Sequence, residues 1–175
     1  IPAFVLLLAA SVTAFAAQGL TFPPSGDNPR STVTQAIGPV KVTIDYSSPK
    51  VVRGANDRRG KIWGELVPWG MTDLGFNGCK SCPWRAGANE NTTIEFSTPV
   101  SIEGKPLPAG TYGLHMIPNA DTWTVIFSKM AMAWGSYTYN QSEDALRVDV
   151  KPHPIEMEEA LEYKFEDLKP DSVAV

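Results

Sequence analysis

Trp84-Arg85-Ala86-Gly87-Ala88-Asn89-Glu90-Asn91-Thr92-Thr93-Ile94-Glu95-Phe96-Ser97 runs from a polar cluster straight into an alternating segment. From Thr92 onward, Thr92, Ile94 and Phe96 share one face while Thr93 and Glu95 share the other. Period-two alternation of this kind marks a half-buried strand. Upstream, Val40, Val42, Ile44 and Tyr46 alternate with Lys41, Thr43 and Asp45 in the same way. The β-prone run Ser31–Ile37 precedes them, and Gly38-Pro39 between the two predicts a hairpin or a sharp corner.

Downstream, Val100–Glu103 reads as a short strand, and Thr111–Ile117 and Thr122–Ser128 read as a hairpin about Pro118-Asn119-Ala120-Asp121. Trp123, Val125 and Phe127 share one face of its second arm. Ala145–Lys151 alternates cleanly, and so do Leu161, Tyr163 and Phe165 against Glu162, Lys164 and Glu166. Residues 155–161 read as a strand lead-in or a helical turn, and the Met-Ala run after Lys129 as one helical turn stopped by Gly135. Short strands with Gly and Pro punctuation and no long helical pattern predict an all-β fold: an antiparallel β-sandwich, jelly-roll or immunoglobulin-like, with little helix.

The chain opens with the apolar stretch Ala3–Ala17, and Ala14-Phe15-Ala16 fits a signal-peptidase site that would end a signal peptide at residues 1–16. The stretch is shorter than the ~20 apolar residues a membrane span needs. The reading is an N-terminally incomplete signal peptide, a linker over 17–30, and one β-sandwich domain over 31–175 whose last strand, at Ser172–Val175, is truncated. The mature chain is expected to be exported, periplasmic or extracellular, with no membrane span. At about 160 residues it buries roughly 70% of its unfolded surface, enough for a core without staples. The net charge of −4 and the lack of any Lys/Arg run exclude nucleic acid as a natural partner.

Residues 68–83 hold three glycines and two prolines and fit no regular element. Cys79-Lys80-Ser81-Cys82 lies at the end of this stretch. In an exported chain the pair most simply forms a disulfide that stiffens the loop. A thioredoxin-like role needs a helix start in a βαβ setting. A single C-x-x-C is a weak zinc signal, since it would have to recruit His115 and His153 from afar. No metal or cofactor is therefore expected.

Arg85, Asn89 and Glu90 are the foremost candidates for a ligand site, with Asp45, Tyr46 and His115 beside them. Arg85 could clamp an anionic group with its planar fork, and Glu90 could act as acid or base if burial raised its pKa. The competing reading is that Arg85 and Glu90 pair with each other or with Asp45, and that Asn89 satisfies loop backbone. His115, alone in mid-strand, reads more readily as a packed residue than as a catalyst. Trp63, Trp69, Trp84 and Trp134 fall in loops or at strand ends, where indoles pack at a core edge or stack on sugar rings and apolar ligands.

Several runs together resemble one family. Ser31-Thr32-Val33-Thr34-Gln35, Ile44-Asp45-Tyr46-Ser47-Ser48-Pro49, Gly64-Glu65-Leu66-Val67-Pro68, Trp84-Arg85-Ala86-Gly87-Ala88-Asn89-Glu90 and Leu107-Pro108-Ala109-Gly110-Thr111-Tyr112 follow in the order seen in the domain-of-unknown-function 2911 family. Trp123-Thr124-Val125-Ile126-Phe127, Trp134-Gly135 and Leu146-Arg147-Val148 extend the likeness over roughly residues 30–175. The resemblance implies an exported, β-rich bacterial protein and carries no activity with it. The resulting expectation is a non-catalytic binding module of the cell envelope or periplasm, taking a small molecule, a glycan or an envelope protein. The rivals are a hydrolase using Glu90 or Asp45 with His115, and a structural or assembly domain of the envelope.

Overall fold

The computed structural model describes residues 27–75 and 79–175, so the signal-peptide segment and most of the linker lie outside the described residues. The architecture is all-β and antiparallel. Among the described residues ten strands form, in chain order: β1 Arg30–Ile37, β2 Val40–Ser47, β3 Val52–Arg53, β4 Asn56–Asp57, β5 Thr92–Phe96, β6 Val100–Ile102, β7 Lys105–Leu107, β8 Gly110–Ile117, β9 Trp123–Ser128 and β10 Asp144–Val150. Six of them make one sheet in the order β1-β2-β5-β8-β9-β10. β3–β4 and β6–β7 are separate two-stranded hairpins.

Register follows from the alternation. Val33, Ile44, Ile94 and Tyr112 line up across four strands. Thr92, Leu114, Phe127 and Leu146 line up across the next set. These rows face the core. A second layer covers them, built from the β6–β7 hairpin through Val100, Ile102 and Leu107, and from the C-terminal segment through Leu161, Tyr163 and Phe165. The sandwich is thus open, with one full sheet backed by a hairpin and irregular chain rather than by a second full sheet.

Two expected elements take another form. Residues 155–161 and 161–165 make no strand. Their alternation is real, since Tyr163 is buried and Leu161 and Phe165 pack on the core, but the backbone bonds elsewhere. Leu161 N–H donates to the Pro49 carbonyl (3.0 Å), and Ser48 Oγ donates to the Leu161 carbonyl (2.7 Å). After Lys129 no helical turn forms. Residues 129–140 instead run as an irregular strap, ending in a 3₁₀ turn at Gln141–Glu143 capped by Asn140. Near the C-terminus, Ala174 pairs with Glu166 in an isolated bridge.

The Trp84–Asn91 stretch is where these parts meet. Trp84 pairs with Met116 through reciprocal backbone bonds of 2.8 and 2.9 Å, extending the free flank of β8 beyond the end of β5. Ala86 then turns left-handed at φ 52° while fully buried. Its carbonyl accepts from Thr92 Oγ1 (3.1 Å) and from Tyr163 Oη (2.7 Å). Tyr163 also sits edge-on to Tyr46, ring centroids 4.8 Å apart. Gly87 is required by space, because a Cβ there would lie 2.5 Å from Thr92 Oγ1 and 3.2 Å from the Ser47 carbonyl. Tyr163→Phe removes one of the two donors to a buried carbonyl and is expected to cost about 1 kcal/mol in urea unfolding, with an unchanged denaturant slope.

Candidate functional site

The sequence candidates fall into different surroundings. Asp45 and Tyr46, adjacent on β2, point to opposite faces of the sheet. Tyr46 is in the core, whereas Asp45 accepts a hydrogen bond from Thr32 Oγ1 on β1. Glu90 is half exposed, 4.0 Å from the Arg30 guanidinium, and accepts a 3.4 Å bond from Ser47 Oγ. Such a surface ion pair is worth about 0–1 kcal/mol. Arg85 pairs with neither Glu90 nor Asp45. Its Nη1 donates to the Asn89 carbonyl at 2.6 Å, and its guanidinium lies over the Tyr137 ring, 4.9 Å from the centroid. Asn89, left-handed at φ 58°, accepts from Asn28 Nδ2 at 3.2 Å.

Arg85 and His115 do meet, under the strap. His115 is on β8, on the sheet face opposite the core rows, and is 2% exposed. Its Nδ1 is 3.0 Å from Ser136 Oγ, and the Tyr139 ring stands edge-on at 5.5 Å. The Asn91 side-chain amide donates to the carbonyls of Met130 (2.9 Å) and Ala131 (3.1 Å), and its backbone N–H donates to that of Ala133 (3.0 Å). Its Oδ1 is buried with no hydrogen-bond partner. Tyr139 Oη donates to Asp144 Oδ2 (2.8 Å) and accepts from Arg147, and burial, then Asp144, pushes its pKa up to about 12.

Two glycines make the seam possible. A Cβ on Gly113 would lie 2.8 Å from the Met130 carbonyl oxygen and 3.0 Å from Asn91 Nδ2. One on Gly135 would fall on the Arg85 guanidinium, 2.3 Å from Cζ. From sequence Gly135 reads as a stop; spatially it is the bed of Arg85. Gly113→Ala is expected to destabilise the fold by about 1–3 kcal/mol, read as a lowered urea midpoint, because a backbone carbonyl must shift.

Burial, and then the nearby Arg85 charge, hold His115 down at about 4 from an ordinary 6.5. It is neutral at physiological pH. Ser136 and His115 are the two halves of a nucleophile–base pair, yet both are buried and the slot between sheet and strap is too tight for a water molecule. Between pH 6.5 and 4 the unfolded chain binds a proton that the native one does not, so stability falls as pH falls through that window, on the order of 3 kcal/mol in all. From pH 6.5 to 5 the wild type should lose about 1.5 kcal/mol that His115→Gln does not lose, measured by urea unfolding across the series.

A second cluster forms at the end of the core face. Trp84, beside β8, and Trp123, which opens β9, stand edge-to-face with ring centroids 6.3 Å apart. Trp63 packs edge-on to both, at 5.7 Å and 4.9 Å. Trp69 lies alongside Trp63, centroids 6.3 Å apart and planes 24° apart. Trp63 and Trp69 remain 46% and 49% exposed. Trp134, grouped with them from sequence, is exposed on the strap, and Trp123 takes its place in the cluster. The signal was present in the alternation that put Trp123 on the core face.

Tight anchors hold the outer indoles. Gly64 has φ +89°, and a Cβ there would lie 2.8 Å from Trp69 Nε1. Gly70 N–H donates to the Pro118 carbonyl at 2.7 Å, and Thr72 and Cys82 exchange backbone bonds of 3.0 and 2.8 Å. Cys79 and Cys82 form a disulfide, and both are buried. Closing so short a loop removes about 2 kcal/mol of chain entropy. With its sulfurs so committed, and His115 sealed, the chain has no group of three or more His, Cys, Asp or Glu able to hold a metal among the described residues.

A protein-family model matches residues 28–175, and its description is a protein of unknown function, DUF2911. The chain belongs to the DUF2911 family. No curated protein and no solved structure matches it. Among the described residues no helix is long and apolar enough to cross a membrane.

Proposed function

We propose that this DUF2911 chain is an exported, non-catalytic binding domain whose contact surface is the indole cluster of Trp63, Trp69, Trp84 and Trp123. The observation that carries the reading is the pair of half-exposed indoles held rigidly over two packed ones. Rigid aromatic anchors give contact area at low ordering cost. Export is supported by the apolar stretch Ala3–Ala17 and by the Cys79–Cys82 disulfide, since such bonds persist in oxidising compartments.

The polar candidates support the same reading by how they are used. Arg85 and Asn91 fasten the strap, Asn89 and Glu90 tie the turn to Asn28, Arg30 and Ser47, and Asp45 bonds β1. A hydrolase would want Glu90 or Asp45 within reach of His115 in an open pocket. Here Glu90 faces Arg30, Asp45 faces Thr32, and His115 is sealed beneath residues 129–140.

Co-sedimentation with insoluble cell-envelope material tests the proposal. The wild type should pellet, Trp63→Ala/Trp69→Ala should pellet about tenfold less, and Glu90→Gln should match the wild type. Turnover of an ester, glycoside or peptide substrate that is abolished by Glu90→Gln or His115→Gln would overturn it.

A further inference from the structure

We infer that the ligand of the Trp63–Trp69 platform is a neutral glycan, stacked by one or two pyranose rings on the indole faces. This rests on the binding-domain reading above and names its ligand. Four properties of the platform select the class: charge, shape, area and rigidity.

Charge comes first. The segments that build the platform, residues 61–75 and 79–84, carry two lysines, Lys61 and Lys80, and two acids, Glu65 and Asp73. Lys80 and Asp73 neutralise each other at 3.2 Å. Lys61 and Glu65 sit four residues apart on one exposed turn. Anionic ligands are recognised by convergent Arg or Lys forks; Arg59, four residues before Trp63, is paired with Asp57 at 2.6 Å, and Arg85, just after Trp84, is occupied by Asn89 and Tyr137.

Shape comes next. One hollow lies beside Lys105 and Arg147 and another beneath the strap, and neither is lined by Trp63 or Trp69. Acyl chains and drug-like apolar ligands favour enclosed clefts that bury most of their surface. The two indoles, stacked with planes 24° apart, instead leave about half of their surface facing solvent. The electron-rich face of an aromatic ring attracts partial positive charge, which the C–H face of a pyranose supplies, while the sugar hydroxyls stay in water.

Area excludes most protein partners. A tryptophan buries about 150–250 Å² in full, so two half-exposed ones offer roughly 150–250 Å². A stable protein interface needs ~800 Å² per partner. One or two sugar rings match the smaller figure. Rigidity is the last property. The Gly64 approach to Trp69, the Gly70–Pro118 bond and the disulfide-tied Thr72–Cys82 pairing fix the rings before any ligand arrives. That lets a weak stacking ligand bind at all.

The test is a titration of the full chain, ¹⁵N-labelled, with cellohexaose, chitohexaose and mannohexaose, read on the tryptophan indole N–H resonances. At least one glycan should shift the Trp63 and Trp69 resonances saturably, with Kd near ~1 mM. Trp69→Ala should weaken that association at least about tenfold, while Trp134→Ala leaves it unchanged. Trp69→Phe keeps an aromatic face and should retain part of the affinity, which separates lost stacking from lost folding. If no glycan shifts these resonances, or if Trp69→Ala binds as the wild type does, the inference falls. In that case a peptide of leucine and phenylalanine that shifts the same resonances leaves the binding-domain reading standing, and a peptide that shifts nothing removes both.

Discussion

The buried carbonyl of Ala86 is the constraint on which the rest of this molecule turns. A carbonyl out of reach of water must be hydrogen-bonded or it costs a few kcal/mol. Two hydroxyls reach it, one from Thr92 just downstream and one from Tyr163 near the C-terminus. The left-handed turn at Ala86, which costs about 1–2 kcal/mol for a residue with a Cβ, persists because the chain on every side holds it. The consequence is geometric. Trp84 and Arg85, adjacent in sequence, go to opposite sides, one into the indole cluster and the other beneath the strap.

The two sides differ in how their polar and apolar groups end up. Beneath the strap, most charge and hydrogen-bonding capacity is consumed internally, with Asn91 Oδ1 left over: Arg85 on a carbonyl and a ring, the Asn91 amide on two carbonyls, His115 on a serine. Such a network specifies one conformation and presents little to a ligand. On the other side the core does not close. Trp84 and Trp123 finish the hydrophobic row, and Trp63 and Trp69 are stacked outward from it. It is this rigid, half-exposed apolar surface on which the proposed binding function rests.

Much of the fold is legible from alternation, because a strand with one buried face has to alternate. Val40–Tyr46, Thr92–Phe96, Trp123–Phe127 and Ala145–Lys151 all announce themselves in this way. Leu161, Tyr163 and Phe165 show where that logic stops, since alternation reports burial of one face and is silent on whether the backbone has a ladder partner. Their backbone bonds to Pro49, Ser48 and the Tyr46 hydroxyl instead. The candidate site is less legible. The neighbourhood of Arg85 and His115 joins residues thirty positions apart through a strap with no periodicity. Gly113 and Gly135 read as ordinary glycines in a strand and after a turn, and only coordinates reveal them as points of close approach. The indole cluster was half visible, as loop tryptophans whose inner member, Trp123, was hidden inside a strand pattern.

The strand order β1-β2-β5-β8-β9-β10 follows chain order throughout. In such a meander no connection crosses another, and every pairing in the main sheet is between a strand and the next one the chain returns to. The departure over residues 48–83, which carries β3–β4, the disulfide and two of the four clustered tryptophans, leaves the sheet from β2, and the chain comes back through the Trp84–Asn91 turn to β5 beside it. Its length does not enter the register. Since loop-closure cost grows only with the logarithm of length, each doubling costing about 0.6 kcal/mol, this departure can gain or lose residues while the sheet stays as it is. The segment free to diversify is therefore the one that carries the exposed Trp63 and Trp69, and under the proposed function recognition could change there without touching the sheet.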